Sequence, residues 1–309
     1  MLLIISVVLL AAYLLLAAAA SPRPQSNFIQ QLPRDGSVFA HAGGNLLWPD
    51  NTLTAFEGAT SLGADVLELD VYQASDGVFV AIHDDTVDRT TDGTGAVAAL
   101  GSNEIAQLDA GFYWTTTGTH SSPQANADFP YRGQGISVPT LAQVLTAFPE
   151  KLINIELKQD DAQAGRALCM LLAEHDAKKQ MLMMSNYSAS IRGFRSDCQE
   201  VATGASRQEV IVFYLLARSG LHRLYSPPFD ALQIPVAQGG ITVVTPGVVR
   251  AAHDRGVQVH VWTINETDEM KRLFTMGIDG VITDRPDRAL RVLEREFPKD
   301  VLPAFVNQP

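Results

Sequence analysis

Residues 38–84 read VFAHAGGNLLWPDNTLTAFEGATSLGADVLELDVYQASDGVFVAIHD. Three apolar, β-branched runs in this stretch carry polar side chains at or near their ends. VFA runs into His41, VLELD contains Glu68 and Asp70, and VFVAI runs into His83. Between the first two runs, Asn51 or Thr52 is placed to cap a helix that stops at Gly63. Strand, helix and strand in that order make a βα unit, and the strand ends of an α/β barrel are where catalytic side chains collect. A single histidine at a strand end is ordinary packing or solvation. Two histidines and two carboxylates at three successive strand ends mark one face as a reaction site.

The connection to the third run is unusual. Parallel neighbours need a crossover of a dozen or more residues, whereas only Tyr72–Gly77 intervenes here. His83 can join Asp70 on one face if Val71–Asp76 descends extended, over about 20 Å, and Val78–His83 then climbs as a third parallel strand. Residues 85–138, rich in Thr, Gly, Ser and Asp, form an insertion after it, beside the catalytic face. Regular alternation returns with strand candidates at 152–157, 181–184, 201–204, 231–235, 257–264 and 280–283, separated by helical patterns. That gives nine candidates for eight places, so Val201–Gly204 or Ala231–Pro235 is expected to be surplus. Strands apolar on both faces and alternating with helices form a parallel sheet, closed or open. No GxGxxG follows the first strand, which removes the simplest dinucleotide-binding case.

A net charge of −11 excludes a basic nucleic-acid surface. Cys169 and Cys198 lie 29 residues apart, without metal-ligand spacing and too few for a disulfide framework; Cys169, in ALCMLLAEH, reads as a buried small hydrophobe. Residues 2–20 contain no charge and as a helix would reach about 28 Å, near the hydrocarbon thickness of a bilayer. The length favours a membrane anchor at 1–20 over a signal peptide cut near Ala18–Ser21. Residues 21–36 then read as a linker and 37–298 as the catalytic domain. The anchored domain is expected outside the cytoplasm, or secreted if the segment is removed. Arg23 and Arg34 weakly oppose that orientation.

LINIELK places Asn154, Glu156 and Lys158 on one strand face. A glutamate and a lysine facing a barrel interior are costly unless paired or bound to something. Glu68 and Asp70 share the same spacing, and like charges on one inward face need a cation or a proton. Three converging carboxylates suit a hard divalent cation, Mg²⁺ or Ca²⁺, rather than zinc, which favours His or Cys clusters. Two histidines beside it suit acid–base chemistry near neutral pH, and a lysine stabilises charge accumulating on a phosphoryl group. Metal-assisted hydrolysis of a phosphoester follows from these residue types.

The chain resembles the glycerophosphodiester phosphodiesterase family from about Val38 to Arg288. The matching motifs are His41 with Gly43, PDNT (49–52), GADVLELDV (63–71), HDDTVDRTTDGTG (83–95), NIELK (154–158), VHVWTIN (259–265) and MGIDGVITDRP (276–286). The resemblance implies a TIM-type (β/α)8 barrel with a small insertion after the third strand, here preceded by the N-terminal hydrophobic helix. It also implies metal-dependent hydrolysis of a glycerophosphodiester to sn-glycerol 3-phosphate and an alcohol. By motif, His41 and His83 become the acid–base pair, Glu68, Asp70 and Glu156 the metal ligands, Lys158 the catalytic, phosphate-binding cation, and Trp262 an aromatic near the glycerol. A lysophospholipase D-like activity and a non-catalytic phosphate-binding barrel are the competing readings. The family usually has arginine where this chain has Ala42, and Arg89 or Arg132 are the candidate substitutes. Asp284 is expected to cap the helix beginning at Pro286 rather than to orient site groups. His120, His175, His222, His253 and His260 are expected at the surface or in packing.

Overall fold

The computed structural model of the chain describes residues 11, 13–117 and 128–307. Its strands are β1 (Ser37–Ala40), β2 (Val66–Gln73), β3 (Phe79–Ala81), β4 (Leu152–Leu157), β5 (Met181–Met184), β6 (Ala202–Thr203), β7 (Ala231–Pro235), β8 (Ala237–Gln238), β9 (Ile241–Thr242), β10 (Gln258–Trp262) and β11 (Gly280–Thr283). Eight of them run parallel in the order β6-β5-β4-β2-β1-β11-β10-β7. A parallel bridge from Gly204 to Ala231 links the two ends, so the sheet nearly closes into a TIM-type barrel with helices outside.

The local signals work as the sequence suggests. The Thr52 side chain accepts from Ala55 N–H at the start of helix Leu53–Leu62, and Gly63 ends that helix at φ 94°. Along β2 the odd positions Leu67, Leu69 and Val71 pack among buried apolar residues, so Glu68 and Asp70 face the barrel interior. The β2–β4 register then sets Asp70 beside Glu156 and Glu68 beside Asn154.

Four expectations need correction. First, Val78–His83 is no parallel stave. β2 continues to Gln73, the chain turns at Gly77 (φ 82°), and β3 descends antiparallel with Val71 opposite Ala81. The Asp76-Gly77 pair supplies a hairpin turn, which connects neighbouring strands without a crossover. Second, both supposedly surplus runs, Val201–Gly204 and Ala231–Pro235, contribute barrel strands. Third, Cys169 and Cys198 are disulfide-bonded. Helices Ala162–Glu174 and Ser188–Asp197 approach so closely that a Cβ on Gly165 would lie 2.3 Å from Ser190 O, and one on Gly193 2.1 Å from Ala162 O. That approach pairs cysteines distant in sequence. Fourth, residues 21–36 are no free linker. Phe28, Ile29 and Leu32 are buried against Phe39, Val66, Leu152, Leu182, Ala202, Ala231 and Ile282, closing the barrel at the N-terminal ends of its strands.

Among the described residues no helix is long and apolar enough to cross a membrane. Residues 13–19 are helical; most of the remainder of the expected anchor, residues 1–10 and 12, lies outside the described residues. The insertion packs Val87, Val97, Ile105, Ala110 and Val138 with Val80 and Ile82; its residues 118–127, including His120, lie outside the described residues.

Candidate active site

Strands β2 and β4 bring Glu68, Asp70 and Glu156 together, one carboxylate oxygen of each lying within 4.8 Å of the others. Glu68 and Asp70 are buried, and Glu156 is partly so. Lys158 Nζ lies 2.9 Å from Asp70 Oδ1 and 2.9 Å from Glu156 Oε2. Each carboxylate is also held by a neutral donor. Ala42 N–H donates to Glu68 Oε2 at 2.8 Å, Asn51 Nδ2 to Asp70 Oδ2 at 3.1 Å, and Asn186 Nδ2 to Glu156 Oε1 at 2.9 Å. Ala42 and Asn51 sit at φ 48° and 57°, left-handed conformations that turn the backbone N–H and the amide inward.

The electrostatics reflect crowded negative charge. Burial pushes the Glu68 carboxyl up to about 7, and the neighbouring Asp70 pushes the same way. Burial works to raise Asp70 too, but Lys158, His83 and His41 together hold it below the usual carboxylate range. Burial would lower His41, yet Glu68, Asp284 and Asp70 overcome it and hold the imidazole up at about 10. Lys158 is opposed by burial and held up by Asp70 and Glu156, so it stays charged.

Both histidines are braced through Nδ1. His41 Nδ1 lies 2.6 Å from Asp284 Oδ1, and His83 Nδ1 lies 2.7 Å from Asp84 Oδ1. Ile82 N–H donates to the Asp70 carbonyl at 3.0 Å, so the β3 hairpin returns His83 to the level of Asp70. The hydrogen bond that His83 donates to the Asp84 carboxylate raises the His83 pKa. In each ring Nε2 is left as the nitrogen available to a bound molecule.

Asp284 is therefore not the helix cap that its position suggested: Arg285 occupies the N-cap of Pro286–Val292, and no side chain caps it. Asn265 fixes Asp284 instead, its Nδ2 donating to Oδ2 at 2.7 Å and its Oδ1 accepting from Asp284 N–H at 3.0 Å. Asn186 and Asp84 escaped the sequence reading, although Asp84 follows His83 directly. Of the two candidate substitutes for the missing arginine, Arg89 is near the mouth: its Nε donates to Asp84 Oδ2 at 2.5 Å, and its Nη2 is 3.6 Å from Asp50. Arg132 stacks on Phe112 and Phe129, 4.1 and 3.8 Å from the ring centroids. Trp262 ends β10 at this same end of the barrel, 39% exposed.

Residues 41–288 match the Glycerophosphoryl diester phosphodiesterase family. The chain is 32% identical over 272 residues to "Probable glycerophosphodiester phosphodiesterase 2" of Mycobacterium tuberculosis, covering 86% of this chain and 94% of that one. It is 29% identical over 265 residues to a glycerophosphodiester phosphodiesterase of Caldanaerobacter subterraneus, covering 84% and 98%. An Oleispira antarctica phosphodiesterase, solved in complex with its product sn-glycerol-3-phosphate, shares the fold with a TM-score of 0.67 at 24% identity, over 87% of this chain and all (100%) of that one.

Proposed function

Because this chain belongs to the glycerophosphoryl diester phosphodiesterase family, we propose that it hydrolyses glycerophosphodiesters to sn-glycerol 3-phosphate and an alcohol. The observation that carries this reading is the convergence, at one barrel mouth, of three carboxylates, one lysine and two carboxylate-braced histidines. Glu68, Asp70 and Glu156 fit a hard divalent cation, Mg²⁺ or Ca²⁺, because they offer only oxygen donors and carry more negative charge than Lys158 balances. When bound, such a cation supplies Lewis-acid stabilisation of phosphoryl oxygens.

The protein's own residues are proposed to do the rest. Lys158 bears a fixed positive charge toward the phosphoryl group. One imidazole takes a proton from the attacking oxygen at Nε2, and the other delivers one to the departing alkoxide. Asp284 and Asp84 hold the two rings in the tautomer and orientation that this exchange needs. Trp262 offers an apolar face to the glycerol carbons.

A lysophospholipid substrate would call for apolar surface in the insertion. Ile105 and Trp114 are instead fully buried, and Trp114 Nε1 donates to Asn45 O at 2.9 Å. A barrel that only bound phosphate would have no use for two braced histidines. The N-terminal apolar run is proposed to tether the enzyme to a membrane, with the barrel extracytoplasmic; the Cys169–Cys198 disulfide supports an oxidising compartment. Release of glycerol 3-phosphate from glycerophosphocholine, with Mg²⁺ or Ca²⁺ and with EDTA, tests the reaction. Cation-dependent release that His41→Ala abolishes is expected. Choline release from lysophosphatidylcholine in its place would overturn the substrate assignment.

A further inference from the structure

The barrel has a second distinctive face, opposite the mouth. The chain crosses there before entering β1: Arg23 donates from Nε and Nη2 to the two oxygens of Asp230, at 3.2 and 2.9 Å, immediately before β7. Arg23 N–H also donates to the Arg255 carbonyl at 2.8 Å. Upstream, the helical residues 13–19 reach the corner beyond helix Arg207–Arg218, where the Tyr13 hydroxyl donates to Gly220 O at 3.5 Å. Leu14, Leu15 and Leu16 are 58%, 72% and 60% exposed, and Leu221, beside that contact, is exposed too. Four adjoining exposed leucines are more than a scattering of surface apolar residues.

The same corner is basic. His222, Arg223, Arg250 and His253 line a cleft of about 520 Å³, with Asp254 the one acidic residue in its wall. Arg223 is 61% exposed and shares Asp254 with His222, at 3.1 and 3.3 Å. Arg250 is exposed and has no side-chain partner among the described residues. On a chain of net charge −11, this cleft stands against the prevailing sign.

We infer that this corner docks on the surface of a bilayer containing anionic phospholipid. The exposed leucines enter the boundary between headgroups and acyl chains. Arg223 and Arg250 meet the headgroup phosphates, each cation near an anionic surface adding to the attraction. The inference deepens the tethering proposed above and rests on it. It also sets the orientation: Glu68, Asp70, Glu156 and Lys158 lie at the opposite ends of the strands, so the mouth opens to water. A water-soluble glycerophosphodiester then has direct access, whereas a lysophospholipid embedded in the supporting bilayer does not.

The test is binding of the full chain to vesicles of phosphatidylcholine with and without phosphatidylglycerol, beside an Arg223→Gln/Arg250→Gln variant. Neither arginine belongs to the catalytic machinery, so glycerophosphocholine hydrolysis should be unchanged and reports an intact fold. We expect the variant to bind the anionic vesicles about thirtyfold more weakly, roughly fivefold for each arginine lost, and the neutral vesicles as the parent does. High salt should weaken the parent on anionic vesicles in the same way. Equal binding of both proteins to both vesicle types would overturn the docking face while leaving the tether in place. Absence of binding to either vesicle would overturn the tether and the docking face together.

Discussion

Acidification should weaken this barrel through His260. The residue lies on β10 with no exposure, its ring centroid 4.5 Å from that of Phe39. Its hydrogen bonds fit only the neutral ring. Nε2 lies 2.9 Å from Gln258 Oε1, which accepts, and Nδ1 lies 3.5 Å from Gln233 Nε2, which donates. Gln233 cannot readily turn over, because its amide is paired both ways with Asn154, at 3.3 and 3.2 Å. A proton on Nδ1 would face the amide N–H across the gap. Burial accordingly pushes the His260 pKa down to about 4, with only Asp279 opposing. In the unfolded chain the pKa returns to about 6.5. Between these values the unfolded chain binds a proton that the folded one does not, so stability falls as pH falls through the window. A difference of about 2.5 units corresponds to about 3 kcal/mol in full, of which about 2 kcal/mol is gone by pH 5. The assay is urea unfolding from about pH 7.5 to about pH 4.5 for the parent and for His260→Gln, which keeps hydrogen-bonding capacity without titrating. Carboxylates that titrate in both proteins cancel in the difference. Two parallel stability curves would refute the reasoning.

Asp284→Asn should lower kcat/KM about ten- to a hundredfold by removing a charge-assisted hydrogen bond worth roughly 1.5–3 kcal/mol. Divalent-cation affinity measured by calorimetry should stay unchanged, since Asp284 touches His41 and not the carboxylate cluster. Glu156→Gln should do the reverse, weakening Mg²⁺ or Ca²⁺ binding at least about tenfold, in a titration that needs no turnover. Replacing both Cys169 and Cys198 by serine should cost about 3–4 kcal/mol of stability, the chain-entropy value for a loop of 29 residues. Denaturant midpoints should show that loss with reductant absent, and the parent should approach the variant once reduced.

The residues that converge in space were legible because strand period and βα order are local signals. Glu68 and Asp70 on β2, and Glu156 on β4 with Lys158 just after its end, face one interior by alternation alone, and register sets Asp70 beside Glu156. What escaped was pairing between distant segments. A run of β-branched residues announces a strand but not its direction, so Val78–His83 could be read as ascending when the turn at Gly77 makes it descend. Asp284 was ambiguous for a similar reason. A carboxylate just before Pro286 is a common capping pattern, and only the β1–β11 pairing, with Ala40 opposite Thr283, shows that it lies beside His41. The disulfide needed the close approach of Gly165 and Gly193 to neighbouring backbone, which no spacing of two cysteines reveals.

The alanine at position 42 is tolerable on the charges that remain. Its small side chain is 2% exposed, and its N–H is already used by Glu68. Neither basic residue considered as a substitute is free to act as a phosphate clamp: Arg89 is held between Asp84 and Asp50, and Arg132 lies against Phe112 and Phe129. Lys158 is thus the one lysine or arginine in contact with the carboxylate cluster among the described residues, and with the protonated His41 it sets two positive charges against the three formal negative ones of the cluster and the fourth of Asp284. A dianionic or monoanionic phosphate approaching that mouth meets net repulsion unless a divalent cation offsets it. An arginine at position 42 would relieve part of that repulsion by itself; alanine leaves it all to the cation. Activity in this chain should therefore fall to background with EDTA and return with Mg²⁺ or Ca²⁺, and Ala42→Arg should leave a measurable residue of metal-free turnover. Equal residual rates for parent and variant under chelation would show that phosphate charge is met by some other group.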